Sequence, residues 1–172
     1  MSGPSFVAID FETSHTLPDS ACSIGVVRVQ DGVIVERRVE LIRPPRRSFM
    51  FTEVHGLTWN DVAGAKPFAE VWPSLVPMLE GATFLAAHNS GFDRRVLRAC
   101  CEAAGLPMPS QPFQCTVQLS RKTWRLHSNN LAAVCRHLQI PLQHHEAGSD
   151  AEACARIVLA AHEVAQQADR TR

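Results

Sequence analysis

The sequence predicts an α/β fold: a mixed central sheet that opens as a three-stranded antiparallel meander, with helices packed on it. Three observations predict it. A β-branched and apolar run, SFVAIDFE, stands near the start. Two further apolar runs, CSIGVVRVQ and VIVERRVELI, flank an Asp-Gly pair. Beyond Glu80, strand-like and helix-like segments alternate. With 172 residues and 45% of them hydrophobic, the chain can fill one core, so residues 1–172 are expected to form a single domain.

Each element follows from its local pattern. SFVAIDFE reads as a buried strand ending in acidic residues. Asp-Gly is a strong hairpin signal because both residues tolerate positive φ, so residues 22–43 read as two antiparallel strands. RPPRRSFMFTEVHG, with its prolines and polar cluster, is expected to be a loop with no regular element. Thr58 with Asp61 can cap a short helix, and Pro67 can open the next one, running toward Glu80. Pro73 and Pro77 should bend or break it. GATFLAAH is strand-like, and GFDRRVLRACCEAAG is a helix with Gly105 as its stop. PMPSQPFQCT is extended, and NNLAAVCRHLQI is helical up to Pro141. A last helix is expected to begin near Ser149, and the terminal QQADRTR is expected to fray.

Composition narrows the function classes. Lys plus Arg balances Asp plus Glu, 17 against 17, so no global field attracts a polyanion and any nucleic-acid contact must be local. The runs FVAID and ATFLAA are far too short for a membrane span, and MSGPSF lacks the segments of a signal peptide. A cytoplasmic protein without a membrane partner is expected. Six cysteines form no C-x-x-C pair, which suits packed, reduced thiols rather than a zinc site.

The candidate chemistry is carboxylate chemistry. Asp10 and Glu12 stand two apart on a strand, so both side chains point to one face and can share a cation. Asp93 follows a strand at the start of a helix, the edge of an α/β sheet where ligands bind; alternatively it completes a capping box with Ser90. Ser149 and Glu152 fit S-x-x-E, which makes Ser149 an N-cap and places Asp150 in the first helical turn, where the helix dipole favours an acid. If these segments converge, their carboxylates repel unless cations neutralise them. Oxygen donors of this kind suit hard divalent ions, Mg²⁺ or Mn²⁺.

With those residues in place, the chain resembles a DEDDh 3′–5′ exonuclease, a DnaQ-like family with an RNase H-like fold that includes the proofreading epsilon subunit of bacterial DNA polymerase III. VAIDFET, AAHNSGFDRRVL and HHEAGSDAEA resemble its three motifs in order, and FTEVHGLT resembles a further H-G-[IL]-T segment. The family's branches differ in one residue, a tyrosine four before the last aspartate or a histidine five before it. This chain has no tyrosine, and Glu146 holds the first of those positions. His145, Ala147, Asp150 and Ala151 fit the pattern H-x-A-x-x-D-A, in which His144 falls one residue too early.

The resemblance implies two divalent ions, Mg²⁺ or Mn²⁺, held by Asp10, Glu12, Asp93 and Asp150, with Asp10 bridging the ions and Asp93 acting through water. It implies His145 as general base and 5′-nucleoside monophosphates as products of hydrolysis from a 3′ end. Phe11, Thr13, His55, Leu57 and Phe92 are its candidates for holding the terminal nucleotide. Their structural alternatives are core packing for Phe11 and Phe92, a turn at Thr13, and a loop anchor at His55 and Leu57. The clusters RPPRR, DRRVLR and RKTWR are candidate phosphate contacts, with Trp124 as a stacking ring. The implied partners are 3′ ends of single-stranded DNA or RNA, and, as in some relatives, a DNA polymerase subunit or a second copy forming a homodimer. The competing expectation is an inactive module of the same fold that binds nucleic-acid 3′ ends or a polymerase without cleaving.

Overall fold

Alternation along β1 (Phe6–Thr13) sets the layers of the molecule. Val7, Ile9 and Phe11 enter one apolar cluster, while Phe6 and Ala8 enter another on the opposite face. In the computed structural model, which describes residues 3–171, this strand is the centre of a five-stranded sheet ordered β3-β2-β1-β4-β5. The first two residues of MSGPSF and the final residue of QQADRTR lie outside the described residues.

Strands β2 (Ala21–Gln30) and β3 (Val33–Leu41) run antiparallel to their neighbours and complete the expected meander. Their turn has Asp31 at φ 50° and Gly32 at φ 81°, the two positive values that an Asp-Gly hairpin supplies at low cost. Strands β4 (Leu85–Ala87) and β5 (Phe113–Cys115) add to the other edge of β1 in parallel. The sheet is therefore mixed, as the sequence predicts.

The segment expected to be a loop holds one helical turn, α1 (Thr52–His55), which ends at Gly56 in the left-handed region. Helix α2 (Trp59–Val62) starts with the reciprocal Thr58 and Asp61 capping box. Helix α3 (Phe68–Leu75) tolerates Pro73 near its end and gives way to a 3₁₀ turn over Val76–Leu79, with Pro77 in its first positions. Helix α4 (Ser90–Ala104) stops at Gly105, which is left-handed at φ 65°. Helix α5 (Thr116–Thr123) was not expected; it has only two buried residues, Thr116 and Ser120, so its apolar period is weak. Helix α6 (Leu131–Leu138) is capped by the Asn130 side chain, which accepts from the Ala133 N–H at 2.8 Å.

Helix α7 runs over Ala147–Arg170, so most of the tail expected to fray is helical. It lies on the sheet face that carries Phe6 and Ala8, together with α6, while α3 and α4 cover the other face. Ala151, Ala153, Cys154 and Ala155 are buried at its contact with the sheet. Side chains this small let the helix axis approach the strands closely. Among the described residues, no helix is long and apolar enough to cross a membrane.

Candidate active site

Strand period brings the first two acids together. Asp10 and Glu12 continue the face of Phe6 and Ala8, the face under α7. Across from Asp10 on β2 is Gly25, and a Cβ built at Gly25 would run into the backbone carbonyl of Ala147. Only glycine lets the first turn of α7 rest on the sheet at this point. That contact delivers Asp150, and carboxylate oxygens of Asp10, Glu12 and Asp150 lie within 4.8 Å of one another.

Asp93 arrives from the opposite side. The β1 and β4 ladder ends at Ala8 and Ala86, which leaves the N–H of Phe11 without a strand partner on that side. Asp93 Oδ1 accepts it at 3.0 Å, with the side chain 1% exposed. The capping box with Ser90 is not formed. The N-cap of α4 is Asn89, left-handed at φ 64° and without a side-chain capping bond, so Asp93 is free to brace β1.

The start of α7 also differs from expectation. Its N-cap is Glu146, whose carboxylate accepts from Gly148 N at 3.1 Å and Ser149 N at 2.7 Å. Ser149 is therefore inside the helix, and its hydroxyl accepts from Gln143 N at 2.7 Å, tying down the loop before the helix. The longer glutamate side chain reaches two of the free N–H groups at the helix start, and small Ala147 and Gly148 allow the helix to begin earlier, against Gly25 and Val39. Asp150 remains in the first turn.

In that turn Asp150 Oδ2 accepts two bonds, from His145 N at 3.1 Å and from His144 Nδ1 at 3.0 Å. Its Oδ1 is buried with no hydrogen-bond partner among the described residues. A buried carboxylate oxygen without a donor is costly, and a cation is one partner that would satisfy it. The rings of His144 and His145 stack with centroids 3.8 Å apart at 18°. Ligand atoms of His144, His145 and Asp150 also lie within 4.8 Å of one another, so these three side chains could hold an ion as well.

Burial raises the proton affinity of Asp10, Glu12, Asp93 and Asp150, and repulsion from neighbouring acids adds to it at the first three. Burial pushes Asp10 well above the usual carboxylate range, and Asp93, Asp150, Glu12 and Glu146 add repulsion. Burial, then Asp150, Asp93 and Glu146, lift Glu12 to about 8. Burial lifts Asp93 to about 7 despite the bond from Phe11. Asp150 is raised by burial, against the opposing bonds from His144 and His145. Each shift has the sign expected of carboxylates taken out of water, and oxygen donors this close fit a hard divalent cation.

Asp10, Glu12 and Asp150 form one wall of a cleft of about 820 Å³, while buried Asp93 lies behind it, outside the lining. Phe11, Phe92, His144 and His145 line the same cleft, and Arg121 and Asn129 are part of its lining. Thr13, His55 and Leu57 lie outside that lining. There His55 acts as a loop anchor: Nε2 pairs with the Thr13 carbonyl at 3.1 Å, and Nδ1 accepts from Leu57 N at 3.1 Å. Trp124 is packed against the core beside α6 and is not a free stacking ring. Of the RPPRR cluster, Arg46 is held by Asp19 at 2.7 Å.

The sequence did not single out His88. Its Nδ1 pairs with Thr116 Oγ1 at 2.8 Å and its Nε2 with the Asn129 carbonyl at 3.0 Å, which staples the loop before α6 to the end of β4. Burial lowers its pKa, so it serves as a neutral brace. Its place beside the Asp93 motif, in AAHNSGFD, was the available signal.

Known proteins similar to this chain include exonucleases and DNA polymerases. The Exonuclease family RNase_T matches residues 7–158. The PolC-type DNA polymerase III of Thermotoga petrophila is 34% identical over 159 residues, and that of Streptococcus agalactiae 31% over 159, each covering 90% of this chain. The chain spans only 12% and 11% of the length of those relatives. The structure of Exonuclease X in complex with 5′ overhanging duplex DNA aligns with a TM-score of 0.76 at 27% identity, covering 94% of this chain and 93% of that one. The nuclease domain of 3′hExo, a DEDDh family member bound to rAMP, shares the fold with a TM-score of 0.77 at 17% identity, over 92% of this chain and 91% of that one. The chain belongs to the RNase_T exonuclease family, with the RNase H-like fold of its DEDDh-type members.

Proposed function

We propose that the chain is a metal-dependent 3′–5′ exonuclease that releases 5′-nucleoside monophosphates from DNA or RNA. The observation that carries this reading is the convergence of Asp10, Glu12 and Asp150, with Asp93 beside them, around a buried Asp150 oxygen that has no donor. Asp10, Glu12, Asp93 and Asp150 would hold two Mg²⁺ or Mn²⁺ ions, with Asp10 between them and Asp93 acting through water. When bound, such ions neutralise the scissile phosphate and make an attacking water more acidic. Asp93 has one oxygen committed to Phe11 N, which favours an indirect role for it.

His145 takes the proton of the attacking water. Its backbone is fixed by the bond to Asp150 Oδ2 while its ring lines the cleft, so the base is held beside the carboxylates and open to substrate. Phe92, half-buried at the cleft, offers a ring for the terminal base, whereas the ring of Phe11 is 3% exposed and packs in the core, the structural alternative for that residue. Thr13, His55 and Leu57 would act on the nucleotide only from the rim, as a braced loop. The DNA complex of the 27% identical Exonuclease X supports a DNA end as substrate. A polymerase subunit is a proposed partner because the similar polymerases are much longer than this chain, and a second copy is the other.

The competing reading is a module of this fold that binds 3′ ends without cleaving. Chromatography of DNA and RNA oligonucleotides incubated with protein and Mn²⁺ separates the two. The exonuclease yields 5′-mononucleotides that EDTA abolishes. Retarded but uncut oligonucleotide would establish the binding module instead.

A further inference from the structure

We propose that His144 is a positioning residue of this site, orienting the Asp150 carboxylate and backing the ring of His145. The inference rests on the reading that Asp150 binds metal and His145 is the base. It assigns work to a histidine that the family pattern leaves out.

The loop before α7 is built to turn both histidines to one side. His145 is left-handed at φ 66°, a conformation that a side chain other than glycine adopts only when its surroundings hold it there. Here they do: Glu146 N donates to the Gln143 carbonyl at 3.2 Å, and Gln143 N donates to Ser149 Oγ at 2.7 Å. Consecutive residues of an extended chain point apart. The left-handed residue cancels that alternation and stacks the two rings at 3.8 Å.

His144 then does two separable things. Its Nδ1 donates to Asp150 Oδ2 at 3.0 Å, alongside the His145 N–H, so that oxygen is held from two directions and Oδ1 is left for a cation. The His144 side chain is 41% exposed while that of Asp150 is 5% exposed, so the contact is not an ordinary surface pair: it reaches from solvent to a buried ligand. Its ring face also limits the tilt of His145, and a base must keep its nitrogen at hydrogen-bond reach of the water.

Two substitutions divide these functions. His144→Asn keeps a short N–H donor for Asp150 but removes the ring. His144→Phe keeps the ring and removes the donor. Mn²⁺ affinity is measured by calorimetry without substrate, and kcat and KM are measured at saturating Mn²⁺. The Phe variant should bind Mn²⁺ about tenfold more weakly and regain more of its kcat at saturating Mn²⁺ than the Asn variant does. The Asn variant should bind Mn²⁺ like wild type and lose about tenfold in kcat with little change in KM. His144→Ala should show both losses.

Wild-type Mn²⁺ affinity and kcat in all three variants would overturn this proposal alone. Identical losses in the Asn and Phe variants would also overturn it, since a general structural defect does not split the two readouts. Wild-type protein that binds no Mn²⁺ and releases no nucleotide would overturn the reading of the site itself, and this proposal with it.

Discussion

At the scale of single residues, the site is a set of acids that the fold makes expensive to ionise. Glu12 is raised from 4.5 to about 8, first by burial and then by Asp150, Asp93 and Glu146. The folded, metal-free protein therefore holds that proton more tightly than the unfolded chain does. The resulting stability is fully present below about pH 4.5 and is lost as pH rises through about 8. His55 and His88 are lowered by burial and act with the opposite sign below their ordinary range, so a difference measurement is needed. In EDTA, the thermal midpoint of Glu12→Gln minus that of wild type should grow from about pH 5 to about pH 8, and Mn²⁺ should shrink it by stabilising wild type. A difference that stays flat across that window would contradict the crowding described for Glu12. For His145, proposed as the base, the His145→Ala variant should lower kcat by about 10²–10⁴ while Mn²⁺ binding persists, checked by steady-state kinetics beside calorimetry.

At the scale of elements, the decisive contact is between β2 and α7. Gly25→Ala would put a methyl group into the Ala147 carbonyl, and overpacking of this kind costs about 1–3 kcal/mol. The expected result is a lower unfolding midpoint in urea together with a loss of turnover, because the shift displaces Asp150 from Asp10. Unchanged stability and turnover would mean that α7 can seat elsewhere. This contact joins residues far apart in the chain, whereas local patterns show in the sequence. Asp10 and Glu12 on one face were legible from the period of β1, and the meander from Asp-Gly, since both are local patterns. Gly25 was not, because its neighbour comes from the far end of the chain. The bond from Phe11 N to Asp93 was hidden for the same reason: an S-x-x-D pattern looks the same whether it caps a helix or braces a strand. Helix α5 was missed because few of its residues are buried, and Ser149 was misread as a cap because Glu146 reaches the same N–H groups first.

At the scale of the whole molecule, positive charge is scarce where substrate must bind. Net charge is zero, and Arg121 is the arginine among the residues that line the cleft. Binding through about two phosphates should make activity fall less than about tenfold between 50 and 200 mM salt, far below the loss for a protein with many phosphate contacts. The same weak grip predicts distributive digestion: with oligonucleotide in excess, all strands shorten together. Runs of fully degraded strands beside untouched ones would show a grip that this chain's surface does not explain. The similar polymerases are roughly eight times longer, and a partner domain of that kind would supply the missing contacts.

We propose that Asp10 and its neighbours cut from the 3′ end with the help of divalent metal. The most direct measurement is digestion of a 5′-labelled single strand by wild type and by Asp10→Asn, with Mn²⁺ or with EDTA, resolved by length. Wild type with Mn²⁺ should give a ladder that shortens one nucleotide at a time toward the label. EDTA should abolish it, and the asparagine variant, folded by circular dichroism, should be slower by about a hundredfold or more, as expected for losing several kcal/mol of metal-borne stabilisation. A ladder of equal rate from Asp10→Asn, or release of the labelled end first, would contradict the account.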